Sequence, residues 1–237
     1  MKRLMIVMAC LMMAACTTTA VRQTKTASAP DAGARILLVE PRIQLSLLTA
    51  GGTPEPRAEW SQTARDNLQR HIQASLAQDQ HSFVTGNVDD LMEGRIGQVV
   101  RLNETVTSAI IAHEYNGYLG AKLATKKDGF EWSVGDGTQL LSEHFQADYA
   151  LFVSGNGTYA SGGRIAAFVV ASAFGVGIPL GQQQVMASLV DLKTGQVVWV
   201  NYAIAGPGAD MRDDAGAMSL VKSLLKDVPL RTVNVAE

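Results

Sequence analysis

Cysteine is almost missing from this chain. Only Cys10 and Cys16 occur in 237 residues, and both lie near the amino terminus. Everything after residue 16 therefore lacks thiols, which excludes disulfides and cysteine-built metal sites there. A domain of about 200 residues buries enough surface to fold without such staples. Charge of one sign is also missing: 20 basic residues stand against 22 acidic ones. Without Lys2 and Arg3 the balance is 18 against 22, a mild excess of acid. That offers no basic footprint for nucleic acid and no polybasic patch for anionic lipid. No apolar run reaches the ~20 residues that a membrane-spanning helix needs.

What is present begins at residue 1. Met1-Lys2-Arg3 supplies two positive charges, and residues 4–15 are wholly apolar or small. This is the anatomy of a secretory signal peptide. Met13-Ala14-Ala15-Cys16 resembles the lipobox read by bacterial lipoprotein-processing enzymes, with Met in place of the usual leading Leu. Small residues before the Cys let the peptidase approach the backbone. Residues 1–15 are thus expected to be removed and Cys16 to carry the lipid, palmitate included. Thr17 follows, where the sorting pattern uses Asp for inner-membrane retention, so delivery to the periplasmic face of the outer membrane is expected.

Residues 16–34 read as the lipidated Cys and a polar, flexible tether. Residues 35–237 read as a single domain. Ile36-Leu37-Leu38-Val39 fits a strand buried on both faces, and Ile43, Leu45 and Leu47 alternate as in a half-buried strand. In the loop at 51–56, Thr53 is expected to cap a helix with Pro54 in its first turn. Trp60, Ala64, Leu68, Ile72 and Leu76 recur at every fourth position, one face of an α-helix. A second helix is expected over 96–113 with Val99, Leu102, Val106 and Ile110 inward, and a short one over 140–145. Residues 149–153 read as a strand ending in the Gly-bearing run 154–158. Residues 185–192 and 196–204 flank Lys193-Thr194-Gly195 as a hairpin. A last helix over 213–226 has Asp213 at its start, Lys226 near its end, and Met218, Val221 and Leu225 inward. The order implies an α/β (α+β) domain with one mixed β-sheet covered by helices.

One segment stands apart. Residues 165–178, IAAFVVASAFGVGI, hold no charge and are bracketed by Gly162-Gly163-Arg164 and Pro179-Leu180-Gly181. Two readings are open: a buried helix or hairpin, or a surface that is apolar because it meets a membrane or another subunit. The second makes Ile165, Phe168, Val169, Val170, Phe174, Val176 and Ile178 a candidate interaction segment.

Chemistry-bearing motifs are absent. His71, His81, His113 and His144 have no i, i+4 partner, and there is no HExxH. No GxSxG elbow occurs. The glycines at 155, 157, 162 and 163 lack the Lys-Ser/Thr of a phosphate loop. Asp89-Asp90 and Asp213-Asp214 read as helix starts rather than as paired acids. No catalytic residue, cofactor or metal ligand is expected.

The strings ADYALFV (147–153) and ASLVDLKTGQVVW (187–199), with Met211-Arg212-Asp213, Thr125-Lys126-Lys127 and Phe130-Glu131-Trp132, resemble a group of uncharacterised proteobacterial outer-membrane lipoproteins. More distantly they are similar to the curli-secretion lipoprotein, to penicillin-binding-protein activator lipoproteins and to the TolB amino-terminal domain. The resemblance implies a TolB-amino-terminal-like fold with a C-terminal β-hairpin followed by a helix. It also implies a non-enzymatic envelope role, docking or assembling with other envelope proteins or with itself. The curli channel places membrane-spanning hairpins where this chain has 165–178. That stretch does not alternate apolar with polar, so a pore is not expected. The alternative is a small periplasmic hydrolase or ligand-binding protein with a site near Gly155 to Gly163.

Overall fold

The computed structural model describes residues 18–23 (backbone only), 30, 33–78, 81–115, 123–126, 129–206 and 209–230. Residues 1–17, including Cys16, lie outside the described residues. Nine strands form one mixed sheet in the order β1-β9-β8-β7-β2-β5, with β3 on β7, β4 on β3 and β6 on β9. They are β1 (Thr18–Gln23), β2 (Arg35–Val39), β3 (Arg42–Leu48), β4 (Pro54–Pro56), β5 (Ser82–Gly86), β6 (Trp132–Ser133), β7 (Tyr149–Ala160), β8 (Gln183–Asp191) and β9 (Gln196–Ala205). The helices are α1 (Ala58–Gln78), α2 (Arg95–Ile110), α3 (Gln139–Phe145), α4 (Gly162–Ala173) and α5 (Asp214–Leu224). This is the expected α/β class with one mixed sheet covered by helices.

The spine is β7. Its first part pairs in parallel with β2, and its second part, from Ser154 to Ala160, pairs in parallel with β3. Its other edge runs antiparallel to β8 along the strand. The run 154–158, expected to end the strand, continues it instead. Glycine makes this feasible: a Cβ at Gly155 would stand 2.7 Å from the Gln184 carbonyl oxygen and 2.9 Å from Val185 Cγ2. The two glycines serve close strand packing, so no phosphate loop forms there.

The helices cover both faces. Ala64, Leu68, Ile72 and Leu76 of α1 and Ala217, Leu220, Val221 and Leu224 of α5 pack on one face, around Leu189 and the fully buried Trp199. Val99, Val100 and Ile110 of α2 and Leu141 of α3 pack on the other, with Leu37, Val39 and Trp132. The stripe of α1 is the expected one. Two other faces are rotated from expectation: Leu102 is exposed, and so is Met218 at 55 %. In α2 the inward positions include polar Asn103 and Thr107, and in α5 they are Ala217 and Leu220 rather than Met218. The loop after β3 also differs. Pro54 lies in β4, and the Thr53 amide donates to Thr49 Oγ1, so neither belongs to α1. The β8–β9 hairpin is as expected: Asp191 Oδ1 accepts from the amides of Lys193 and Thr194, and Gly195 takes the left-handed backbone at φ +71°.

Of the expected tether, residues 16–17, 24–29 and 31–32 lie outside the described residues, and one described part differs from expectation. Residues 18–23 are an edge strand antiparallel to β9, in register from Thr18 opposite Ile204 to Gln23 opposite Trp199. The sheet therefore begins two residues after Cys16, where an unstructured coil was expected.

Candidate functional site

The apolar segment 165–178 enters neither core. Residues 162–173 form α4, and none of them is buried. Ile165 is 49 % exposed, Val169 and Val170 62 % each, Phe174 81 % and Val176 54 %. Phe168 and Ile178 are half-buried. The helix is completed locally at both ends. Ser161 is the N-cap, its Oγ accepting from the Arg164 amide at 3.1 Å. At the other end the Val176 amide donates to the Ala171 carbonyl and the Gly175 amide to that of Ser172, with Gly175 at φ +74°. That pair of bonds is a Schellman motif, which glycine's left-handed backbone permits. The element is a well-formed helix with nothing of its own domain over its outer face.

Its mount is rigid. The Ser161 amide donates to the Leu48 carbonyl and the Thr158 amide to that of Gln182. Arg164 Nε donates to the Pro179 carbonyl at 3.0 Å, fastening the helix start to the returning loop. Gly181 closes the loop at φ +106°, where a Cβ would collide with the Thr158 carbonyl at 2.1 Å. Beneath the mount, the Tyr159 hydroxyl lies 2.6 Å from Gln183 Oε1 and 2.8 Å from Asp210 Oδ1. Arg212 grips Asp210 with two donors, Nε and Nη2, the strong bidentate form of an ion pair. Its guanidinium also stands 3.5 Å from the Tyr159 ring centroid and 4.6 Å from that of Trp60. Burial works against the Asp210 carboxylate, but hydrogen bonds from the Arg212 side chain and backbone and from Tyr159 outweigh it, so its pKa is held below the ordinary value. Burial, then the bond to Asp210, push the Tyr159 hydroxyl far above the usual phenol range. The cluster braces β7, β8 and the entry to α5. Nothing in the sequence pattern marks these five residues as neighbours.

A second feature is a cleft of about 570 Å³ where β2 gives way to β3 at Pro41. Arg42, Glu104, Asn156, Gln184 and Tyr202 line it. Arg42 Nε meets Glu104 Oε1 at 2.5 Å. The Tyr202 hydroxyl donates to Gln184 Oε1, and Gln184 Nε2 to Asn156 Oδ1. These polar groups satisfy one another, and burial raises the Tyr202 pKa, which disfavours a phenolate. No nucleophile with an adjacent base is among them.

The histidines are scattered. His71 Nε2 meets Asp214 Oδ1 at 2.9 Å, and this contact, then that of Arg70, lowers the pKa of the exposed Asp214. His113 stacks on Trp132, and His144 lies edge-on to Phe145. Among the described residues, no three His, Cys, Asp or Glu side chains gather as metal ligands. Among the same residues, no helix is long and apolar enough to cross a membrane.

No family model matches the chain. No curated protein matches it either. Among solved structures, it is similar to PelC from a dodecamer of Paraburkholderia phytofirmans: 12 % identity over 91 % of this chain and 99 % of that one, with a TM-score of 0.40. It is also similar to the LpoB C-terminal domain from Salmonella enterica: 13 % identity over 76 % of this chain and 87 % of that one, with a TM-score of 0.28.

Proposed function

We propose that this chain is a lipid-anchored, non-enzymatic envelope protein that docks or assembles at the membrane through α4. The observation that carries the reading is the outward apolar face of a fully capped helix, with Ile165, Val169, Val170 and Phe174 open to solvent. The outward face of this helix is apolar, and an exposed apolar patch of this kind marks an interaction surface. The Ala14-Ala15-Cys16 junction supplies the anchor in this reading, with Thr17 favouring the outer membrane. Two experiments test the reading together. Cys16→Ala is expected to abolish palmitate labelling and membrane fractionation. Replacing 164–181 by a Gly-Ser bridge is expected to leave a folded domain that no longer recovers its crosslinked envelope partners. Normal labelling of the first variant, or unchanged crosslinking of the second, refutes the corresponding half.

A second reading rests on the cleft. Its Asn156, Gln184 and Tyr202 side chains suit a small polar ligand beside Gly155. Arg42→Ala with Tyr202→Phe abolishes ligand-induced thermal stabilisation under this reading, and leaves envelope crosslinking unchanged under the first.

A further inference from the structure

Where the anchor enters the domain decides what covers α4. The pairings run in register across four strands: Thr18 stands opposite Ile204, Ile204 opposite Gln184, and Gln184 opposite Asn156. The start of β1 therefore lies at the same end of the sheet as the close of β7, from which α4 rises. Three strand spacings separate Thr18 from Asn156, roughly 15 Å. Cys16 precedes Thr18 by two residues, so covalent geometry keeps it within ~7 Å of the strand's first residue. Acyl chains on Cys16 would enter a leaflet beside this end of the sheet, not a tether's length away.

The helix is suited to that place. Its two ends return to neighbouring strands, since Gly157 of β7 pairs with Gln183 of β8. The segment thus leaves and re-enters on one side, which fits a helix lying in an interface and excludes one that crosses. Twelve residues give it a length of ~18 Å. Residues 149–190 contain no Asp or Glu, and Arg164 is their only basic residue. That basic side chain is turned back onto the Pro179 and Ala50 carbonyls. No carboxylate of this segment would have to be desolvated against the headgroups.

We infer that α4, with the loop through Leu180, lies in the leaflet that holds the protein's own acyl anchor, with Ile165, Val169, Val170 and Phe174 among the acyl chains. The inference rests on the lipid-anchored reading above and supplies the occupant of its docking face. Two attachment points on one sheet end, one covalent and one helical, would fix the orientation of the domain on the membrane. Apolar faces of interfacial helices bury about 5–10 Å deep, and Phe174 and Val170 are among the most exposed apolar side chains described.

The test uses the full chain, expressed with its leader so that Cys16 is processed. Val170→Cys, Phe174→Cys and Lys193→Cys each add one labelling site. Lys193 sits in the β8–β9 turn, at the other end of a nine-residue strand, ~30 Å away. Each protein is labelled with an environment-sensitive fluorophore and placed in phosphatidylethanolamine–phosphatidylglycerol vesicles with or without doxyl-labelled lipid. Labels at 170 and 174 are expected to lose more than half of their fluorescence to the doxyl lipid, and the label at 193 almost none. In a Val169→Asp background the quenching at 174 should fall about fivefold with unchanged melting, because the charge resists burial. Labels at 170 and 174 that respond no more than the label at 193 overturn the inference. So do labels shielded without quenching in a protein that sediments as a multimer, since a second copy then covers the helix. The mass of the amino-terminal peptide separates the two readings. An unmodified Cys16 defeats the anchoring, whereas an acylated Cys16 with unquenched labels defeats this inference alone.

Discussion

Helices α1 and α4 carry similar apolar side chains and meet opposite fates. In α1 the apolar residues are confined to one stripe, and Arg65, Asp66 and Arg70 occupy the other side. That stripe, Ala64-Leu68-Ile72-Leu76, is wholly buried. In α4 valines and alanines surround the axis, and the domain covers no residue fully. Total hydrophobicity did not select the core helix; the presence of a polar face did. A helix with such a face can lie half in water, so the domain needs to cover only one side of it. A helix without one stays incomplete until something outside the fold covers it.

The largest effect should come from cutting into the covered helix. Ile72→Ala is expected to cost ~2–5 kcal/mol in urea unfolding, through lost burial and the cavity left behind. The matching Val170→Ala in α4 should stay within ~0.5 kcal/mol, as surface changes do. Equal losses at the two positions would erase the comparison.

Next comes the brace between the two regions. Tyr159→Phe removes a hydroxyl placed between Gln183 and Asp210. Leaving buried acceptors short of a donor costs about 1–3 kcal/mol, read as a lower urea midpoint with unchanged α4 exposure. A midpoint equal to the parent's would show that the brace does not hold the mount.

A smaller effect follows from pH. The folded Asp210 has a pKa below its unfolded value, so its contribution is present above about pH 3.9 and is lost as pH falls through the folded pKa. Acid melting of the parent should therefore fall more steeply below pH 4 than that of Asp210→Asn. Parallel curves would contradict the assignment. The smallest effect is expected from His71→Ala, which removes one contact to the exposed Asp214. Its melting temperature should match the parent's, and the other three histidines should behave alike when replaced.

Strong local periodicity made much of the fold legible. The four-residue recurrence of α1 and the Lys193-Thr194-Gly195 turn each state their own structure. Weak or mixed signals did not. Leu102 and Met218 are large and apolar, yet α2 buries Asn103 and Thr107 while α5 buries Ala217 and Leu220. Asn103 is buried where Ser188 Oγ donates to its Oδ1 across to the sheet, a long-range partner that local pattern does not carry. β5 is an edge strand whose pairing with β2 is settled by distant residues. β1 reads as a polar coil because its order comes from β9 alone. The apolar segment 165–178 stood out by composition, but its helical form and its shared end with β1 are properties of the sheet register.

That register also has a mechanical side. Ladder hydrogen bonds lie across the strands, and β1 meets β9 over six residue pairs, with its first residue nearest Cys16. For a chain held at Cys16, a pull along the strand axis loads all the rungs at once, in shear, whereas a sideways pull opens them one after another. In the lipid-anchored reading, a pull along β1 is thus resisted by the whole ladder. The edge strand in that reading acts as a strain relief, spreading the load at Cys16 over six residue pairs before any helix feels it.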